Sequence, residues 1–141
     1  MIEKKYQADP KRRTLSGQSV GGSFGAWVML EDPGLFSSYI LTSPSLWFKD
    51  RDIFNLEKAF AQNNHDLNAK VYFAIGSEET LEKGMYYPMV AELEEFTNLL
   101  KKREYPSLDI ITEVIPGSIH ETTFPQGFIR GALWIYGISV N

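Results

Sequence analysis

Cysteine is missing from all 141 residues, which excludes disulfides, thiolate nucleophiles and cysteine-ligated zinc. Histidine is almost missing: His65 and His120 are the only two, so any imidazole chemistry runs through one of them. Positive charge is not in excess, with 14 basic against 18 acidic residues and a net charge of -4. The basic runs are short, K-R-R at 11–13 and K-K-R at 101–103, so no nucleic-acid partner is expected. No segment approaches the roughly 18 consecutive apolar residues of a membrane span. The N-terminal M-I-E-K-K-Y-Q-A-D-P has no apolar signal core. We therefore expect no membrane partner and a cytoplasmic chain.

What is present is enough apolar material for a core: 43% hydrophobic and 13% aromatic residues. No repeat, low-complexity stretch or linker divides the chain, so residues 1–141 read as one domain. Residues 2–7 read as the tail of a helix closed by Asp9-Pro10, because the residue before proline avoids helical angles. A strand at about 13–16 meets a glycine cluster. From Val20, residues Phe24, Trp27, Val28 and Leu30 recur at helical spacing until E-D-P-G at 31–34. A second strand spans 37–43 and stops at Pro44, and a modest helix covers 52–62. The third strand, A-K-V-Y-F-A-I at 69–75, is nearly continuous in apolar residues, as expected for a strand covered on both faces. A helix at 86–102 carries a stripe of Met89, Val90, Leu93, Phe96, Leu99 and Leu100. A fourth strand at about 108–115 stops at P-G, and a last helix spans about 125–136. Strands alternating with helices predict an α/β fold with a parallel sheet and its chemistry at the carboxyl ends of the strands. Met29, Trp27 and Trp134 read as core.

Those strand ends carry the informative residues. Residues 17–21, G-Q-S-V-G, match the Gly-x-Ser-x-Gly elbow, in which a serine sits on a sharp strand-to-helix turn. The pattern arises by chance in roughly 5% of chains this long at ordinary glycine and serine usage, so it is weak alone. Its placement between a strand and an amphipathic helix strengthens it. Small residues at 17 and 21 would relieve crowding, Gly22 would let the helix approach the sheet, and the Val20 N–H would serve as an oxyanion donor at a helix N-terminus. Two other readings compete. Gly17 and Gly22 have phosphate-loop spacing, but Ser23 and Phe24 follow where lysine is required. A packing turn without chemistry would use the same glycines.

A serine nucleophile needs a base and an orienting acid, which follow it in the order acid, then histidine. His65, in N-N-H-D, lies where a helix feeds a strand and reads as a solvated surface residue. His120 follows the fourth strand and falls on the same sheet edge as Ser19, where a base belongs. The acid should follow the third strand, in I-G-S-E-E, with Glu79 preferred and Glu78 the alternative. Glu78, Glu79 and Glu82 have no histidine or aspartate near them, and H-E-T-T-F at 120–124 lacks the second histidine of a zinc-protease helix. We expect no metal and no cofactor.

Taken together, D-P-K-R-R-T-L-S-G-Q-S-V-G-G, F-S-S-Y-I-L-T-S-P-S-L-W-F, V-Y-F-A-I-G-S-E-E and I-H-E-T-T-F-P resemble the putative esterase family of α/β-hydrolases, nearest its siderophore-esterase-like branch. The run at 43–47 is more specific than the elbow. The resemblance implies a partial α/β-hydrolase fold of about four parallel strands with helices on both faces. It also implies a serine hydrolase of small-molecule carboxylic esters, with Ser19 as nucleophile, His120 as base and Glu79 as acid. Trp47 and Phe48 are expected to line a substrate pocket, with Tyr86 and Tyr87 as cover, and ordinary core or rim packing is the alternative for each of the four. Two departures stand out. Gln18 occupies a position where many relatives have histidine. Only sixteen residues precede Gly17, too few for the earlier strands or for the loop bearing a second oxyanion N–H. The chain thus resembles only the C-terminal half of the fold. Its elbow strand would be an open sheet edge, inviting homo-oligomer formation. The alternatives are an impaired fragment acting as an association module, and an acyltransferase.

Overall fold

The computed structural model describes residues 2–137. Its elements are α1 (Ile2–Tyr6), β1 (Thr14–Gln18), α2 (Val20–Glu31), β2 (Ser38–Thr42), α3 (Phe48–Asn63), β3 (Ala69–Gly76), α4 (Met89–Lys102), β4 (Leu108–Ile115) and α5 (His120–Tyr136). A short 3₁₀ turn covers Leu81–Lys83. The four strands form one parallel sheet in the order β1-β2-β3-β4. Register aligns Gln18 with Thr42, Thr42 with Ala74, and Gly76 with Ile115. The segments that follow the strands therefore leave from a common edge. The result is an α/β arrangement, a parallel sheet with helices on both faces.

Alternation along the strands sorts the core into two layers. Tyr39 and Leu41 of β2 join Val71, Phe73 and Ile75 of β3 on one side, beneath Met29, Leu93, Phe96 and Leu100 from α2 and α4. Ile40, Tyr72 and Ala74 face the other side, where α5 covers them with Ala132, Trp134 and Ile135. Period-two side-chain alternation produces this division. α5 lies close to the sheet because a Cβ on Gly131 would come within 2.7 Å of the Tyr72 ring and 2.9 Å of Ile40.

Three helices differ from the sequence expectation. α4 begins at Met89 rather than at residue 86, since Pro88 stands at its N-cap and disfavours helical angles in the residue before it. α5 begins at His120, five residues before the expected start. Pro125 lies inside this helix instead of opening it. Its missing N–H leaves the Glu121 carbonyl, four residues back, without its usual intrahelical donor. α3 includes a left-handed turn at Lys49, Asp50 and Arg51, with φ of 49°, 52° and 64°. The right-handed part begins near residue 52, as expected.

Two core assignments also change. Met29 is fully buried, but Trp27 is 46% exposed and Trp134 is only half-buried against the smaller layer. On α2 the sheet is met by Gly22, Gly25, Ala26 and Met29, so the large apolar residues Phe24 and Trp27 point elsewhere.

Candidate active site

Ser19 lies between the last residue of β1 and the first of α2, with φ 56° and ψ -121°. A side-chain-bearing residue at positive φ is strained by about 1–3 kcal/mol and persists only where its surroundings over-determine it. Here they do. The Ser19 N–H donates to the Thr42 carbonyl at 3.0 Å, and the Ser19 carbonyl accepts from the N–H groups of Ser23 at 3.0 Å and Ser45 at 3.1 Å. A Cβ on Gly17 would lie 2.3 Å from the Gly21 carbonyl oxygen, so only glycine fits there. Gly21 itself faces open space, and its lack of a side chain is not what relieves the turn. At Gly22 a Cβ would sit 3.1 Å from both the Thr42 carbonyl and Pro44, which fits the close approach of helix to sheet. Val20 opens α2, so its N–H has no acceptor within the helix. The Ser19 hydroxyl shares a hydrogen bond of 3.2 Å with the Ser45 hydroxyl.

Across the same edge, Glu79 is completely buried. Its Oε1 accepts from the Gly76 N–H at 2.9 Å, the Ser43 hydroxyl at 2.6 Å and the Thr123 hydroxyl at 2.9 Å. Its Oε2 meets His120 Nδ1 at 2.7 Å. With three donors on Oε1 the group is placed as an ionised carboxylate, which only accepts, so the nitrogen facing Oε2 is the protonated Nδ1 of the imidazole. That tautomer leaves Nε2 unprotonated and able to take a proton. Glu78 turns away: it pairs with Lys83 at 2.8 Å and accepts from Ser77 at 3.1 Å. The lysine, followed by the serine, pulls the Glu78 carboxyl below its ordinary pKa.

His120 is the first residue of α5, where Thr122 caps the Ile119 N–H through its hydroxyl at 3.0 Å. Gln18, immediately before the elbow serine, donates its side-chain N–H to the His120 carbonyl. The unusual residue of the elbow thus ties the end of β1 to the start of α5. His65 is exposed between α3 and β3, away from this edge.

Beside the elbow lies a cavity of about 340 Å³ walled by Val20, Phe24, Trp27, Leu46, Phe48 and Ile53. Phe48 is part of this wall. Trp47 is not; its ring stacks on Tyr87 at 4.0 Å and packs against the larger core layer. Tyr86 is 94% exposed and covers nothing. Ser23, Ser45, Lys49 and Asp52 supply the cavity's polar groups. The left-handed turn carrying Lys49 is held by Arg51, which pairs with Glu95 at 2.6 Å and lies 4.1 Å above the Phe54 ring. K-D-R contains neither glycine nor asparagine, so nothing in the sequence marks this turn. The roles of Ser43, Ser45 and Thr123 were also missed, although the distinctive 43–47 run was a signal. Among the described residues, no group of three or more histidine and acidic side chains is arranged to hold a metal ion. Among them, too, no helix is long and apolar enough to cross a membrane.

The sequence model described as "Putative esterase" matches residues 1–135. The chain belongs to this esterase family. It is 33% identical over 106 residues to the ferri-bacillibactin esterase BesA of Bacillus subtilis, covering 72% of this chain and 36% of that protein. The fold is similar to the BES protein from Bacillus cereus, with a TM-score of 0.80 at 23% identity, over 95% of this chain and 48% of that one. It is also similar to the siderophore hydrolase EstB from Aspergillus nidulans, with a TM-score of 0.74 at 22% identity, over 88% of this chain and 48% of that one. The chain therefore spans half or less of the length of these relatives.

Proposed function

We propose that this chain carries the catalytic machinery of a serine esterase. Ser19 attacks the ester carbonyl while His120 Nε2 accepts its proton, and the proton then passes to the departing alcohol. The resulting acyl-enzyme is hydrolysed by water activated by the same imidazole. Glu79 holds the imidazole and stabilises its charged form. The Val20 N–H stabilises the oxyanion, and loss of one such donor typically lowers turnover about 10²- to 10³-fold. The observation that carries this reading is the 2.7 Å contact of His120 with the buried Glu79, at the sheet edge that also presents the strained Ser19. Membership of an esterase family supports it independently.

The names of the relatives point to siderophore esters as the first substrate class to test, and the aromatic cavity wall of Phe24, Trp27 and Phe48 suits an aromatic or aliphatic acyl group. Labelling with a fluorophosphonate probe is the direct test. Covalent label on the wild type that vanishes in Ser19→Ala is the expected result; no label, or equal label in both, overturns the reading. Added alcohol separates hydrolysis from acyl transfer through the products formed.

A second reading concerns assembly. β1 is an outer strand with no neighbour on its far side among the described residues. We infer that residues 1–141 act as one domain that pairs with a second copy along this edge, as open strands do. Light scattering is expected to give a dimer mass; a monodisperse monomer at working concentration overturns it.

A further inference from the structure

The run Ser43-Pro44-Ser45 follows β2 and has no part in the steps above, yet each of its serines bonds a different member of the candidate triad. We propose that this run is a two-ended positioning clamp, in which Ser43 fixes the carboxylate of Glu79 and Ser45 fixes the hydroxyl of Ser19. The Ser45 half rests on the esterase reading; the Ser43 half does not.

Several independent features place the clamp. Ser43 has φ 42°, an uncommon conformation for a residue with a side chain. It is fully buried and held by its N–H to the Ala74 carbonyl at 2.7 Å. In that conformation its hydroxyl reaches Glu79 Oε1 at 2.6 Å, the shortest of the three bonds to that oxygen. With Oε1 occupied by donors, Oε2 is the oxygen presented to His120. Pro44 packs over Gly22 at the start of α2, and its ring restricts the backbone between the two serines. Ser45 is buried as well and grips Ser19 twice, by its N–H to the Ser19 carbonyl at 3.1 Å and by the hydroxyl contact of 3.2 Å. When the Ser19 proton is directed to the imidazole, the Ser45 hydroxyl is the donor of that contact and secures the nucleophile's rotamer.

The two ends differ in what they perturb. Loss of the Ser43 hydroxyl leaves the carboxylate charge less shared by donors, so it attracts the imidazolium more strongly and His120 holds its proton to higher pH. Loss of the Ser45 hydroxyl leaves the carboxylate untouched. The test is histidine NMR titration with rates of fluorophosphonate labelling. His65 is a built-in control, because it is the only other histidine. Ser43→Ala is expected to move the His120 titration upward and leave His65 in place. Ser43→Gly, which suits the positive φ, reports the same shift if the alanine variant folds poorly. Ser45→Ala should slow labelling of Ser19 by about 10-fold with both titrations unchanged. Ser45→Thr, which keeps a hydroxyl, should recover most of that rate. An unmoved His120 titration in both Ser43 variants, or labelling of Ser45→Ala at the wild-type rate, overturns the clamp. A wild-type chain that takes no label defeats the esterase reading and the Ser45 half together, while the His120 titration still decides the Ser43 half.

Discussion

The two faces of the sheet are built to different depths. Among the described residues, one carries a layer of 18 buried hydrophobic residues under α2, α3 and α4, whereas the other has four, Ile40, Tyr72, Ala74 and Ile115, under α5. Hydrophobic stabilisation scales with apolar area removed from water, so the deep face supplies most of the holding power. The thin face holds the helix that begins with His120, and on it Phe124, Phe128 and Ile129 remain exposed. The candidate base therefore rides on the more lightly anchored layer, while the elbow serine and the acid hang from strands locked into the deep one. What ties the base back are polar contacts at the sheet edge: Gln18 to the His120 carbonyl, Glu79 to the imidazole, and Thr123 to Glu79.

The largest expected effect falls at the junction of the two layers. Ser19→Ala should lower ester hydrolysis by about 10⁴-fold or more with little change in melting temperature, read by turnover and by calorimetry. On the deep face, Leu93→Ala should cost about 2–5 kcal/mol by urea unfolding, because Leu93 is completely buried. Its activity per folded molecule should stay near wild type, which separates core stability from site geometry. On the thin face the balance should reverse. Gly131→Leu drives a side chain into Tyr72 and Ile40, should cost only about 1–3 kcal/mol, and should reduce turnover by displacing α5. Equal losses of activity for these two variants, each measured where it is fully folded, would break the comparison.

The smallest effect sharpens the deep face. Glu92 on α4 is buried, its Oε2 has no hydrogen-bond partner, and Arg51 approaches only to 4.0 Å. Burial raises its pKa above the ordinary value of 4.5, with Arg51 opposing and Glu95 adding to the rise. The folded state is thus disfavoured by charging Glu92, a penalty absent below the unfolded pKa and complete above the raised folded one. Glu92→Gln removes it. Melting curves should show a modest gain for the variant at neutral pH that disappears as the pH falls below about 4.

Much of the deep face was legible because its patterns are local. The apolar run of β3 matches a strand buried on both faces, and on α4 the stripe positions Met89, Leu93, Phe96 and Leu100 are all buried. α2 misled for a physical reason: it is apolar nearly all round, so spacing pointed to Phe24 and Trp27 when glycine and alanine were the residues that let it approach the sheet. The early start of α5 was hidden by Pro125, which reads as a helix opening and here lies inside one. The left-handed turn at 49–51 leaves no trace in residue type.

A parallel α/β order, a serine at a strand-to-helix turn and a histidine at the same sheet edge could all be read from residue pattern, because strand and helix periods and turn residues act over a few positions. The sequence left Glu78 and Glu79 as alternatives and could not place Trp47 or the serines at 43 and 45. Those were decided by tertiary structure alone. A hydrogen bond of 2.7 Å between residues 41 positions apart exists only once strand register and crossover helices have set both backbones, and no local rule carries that information.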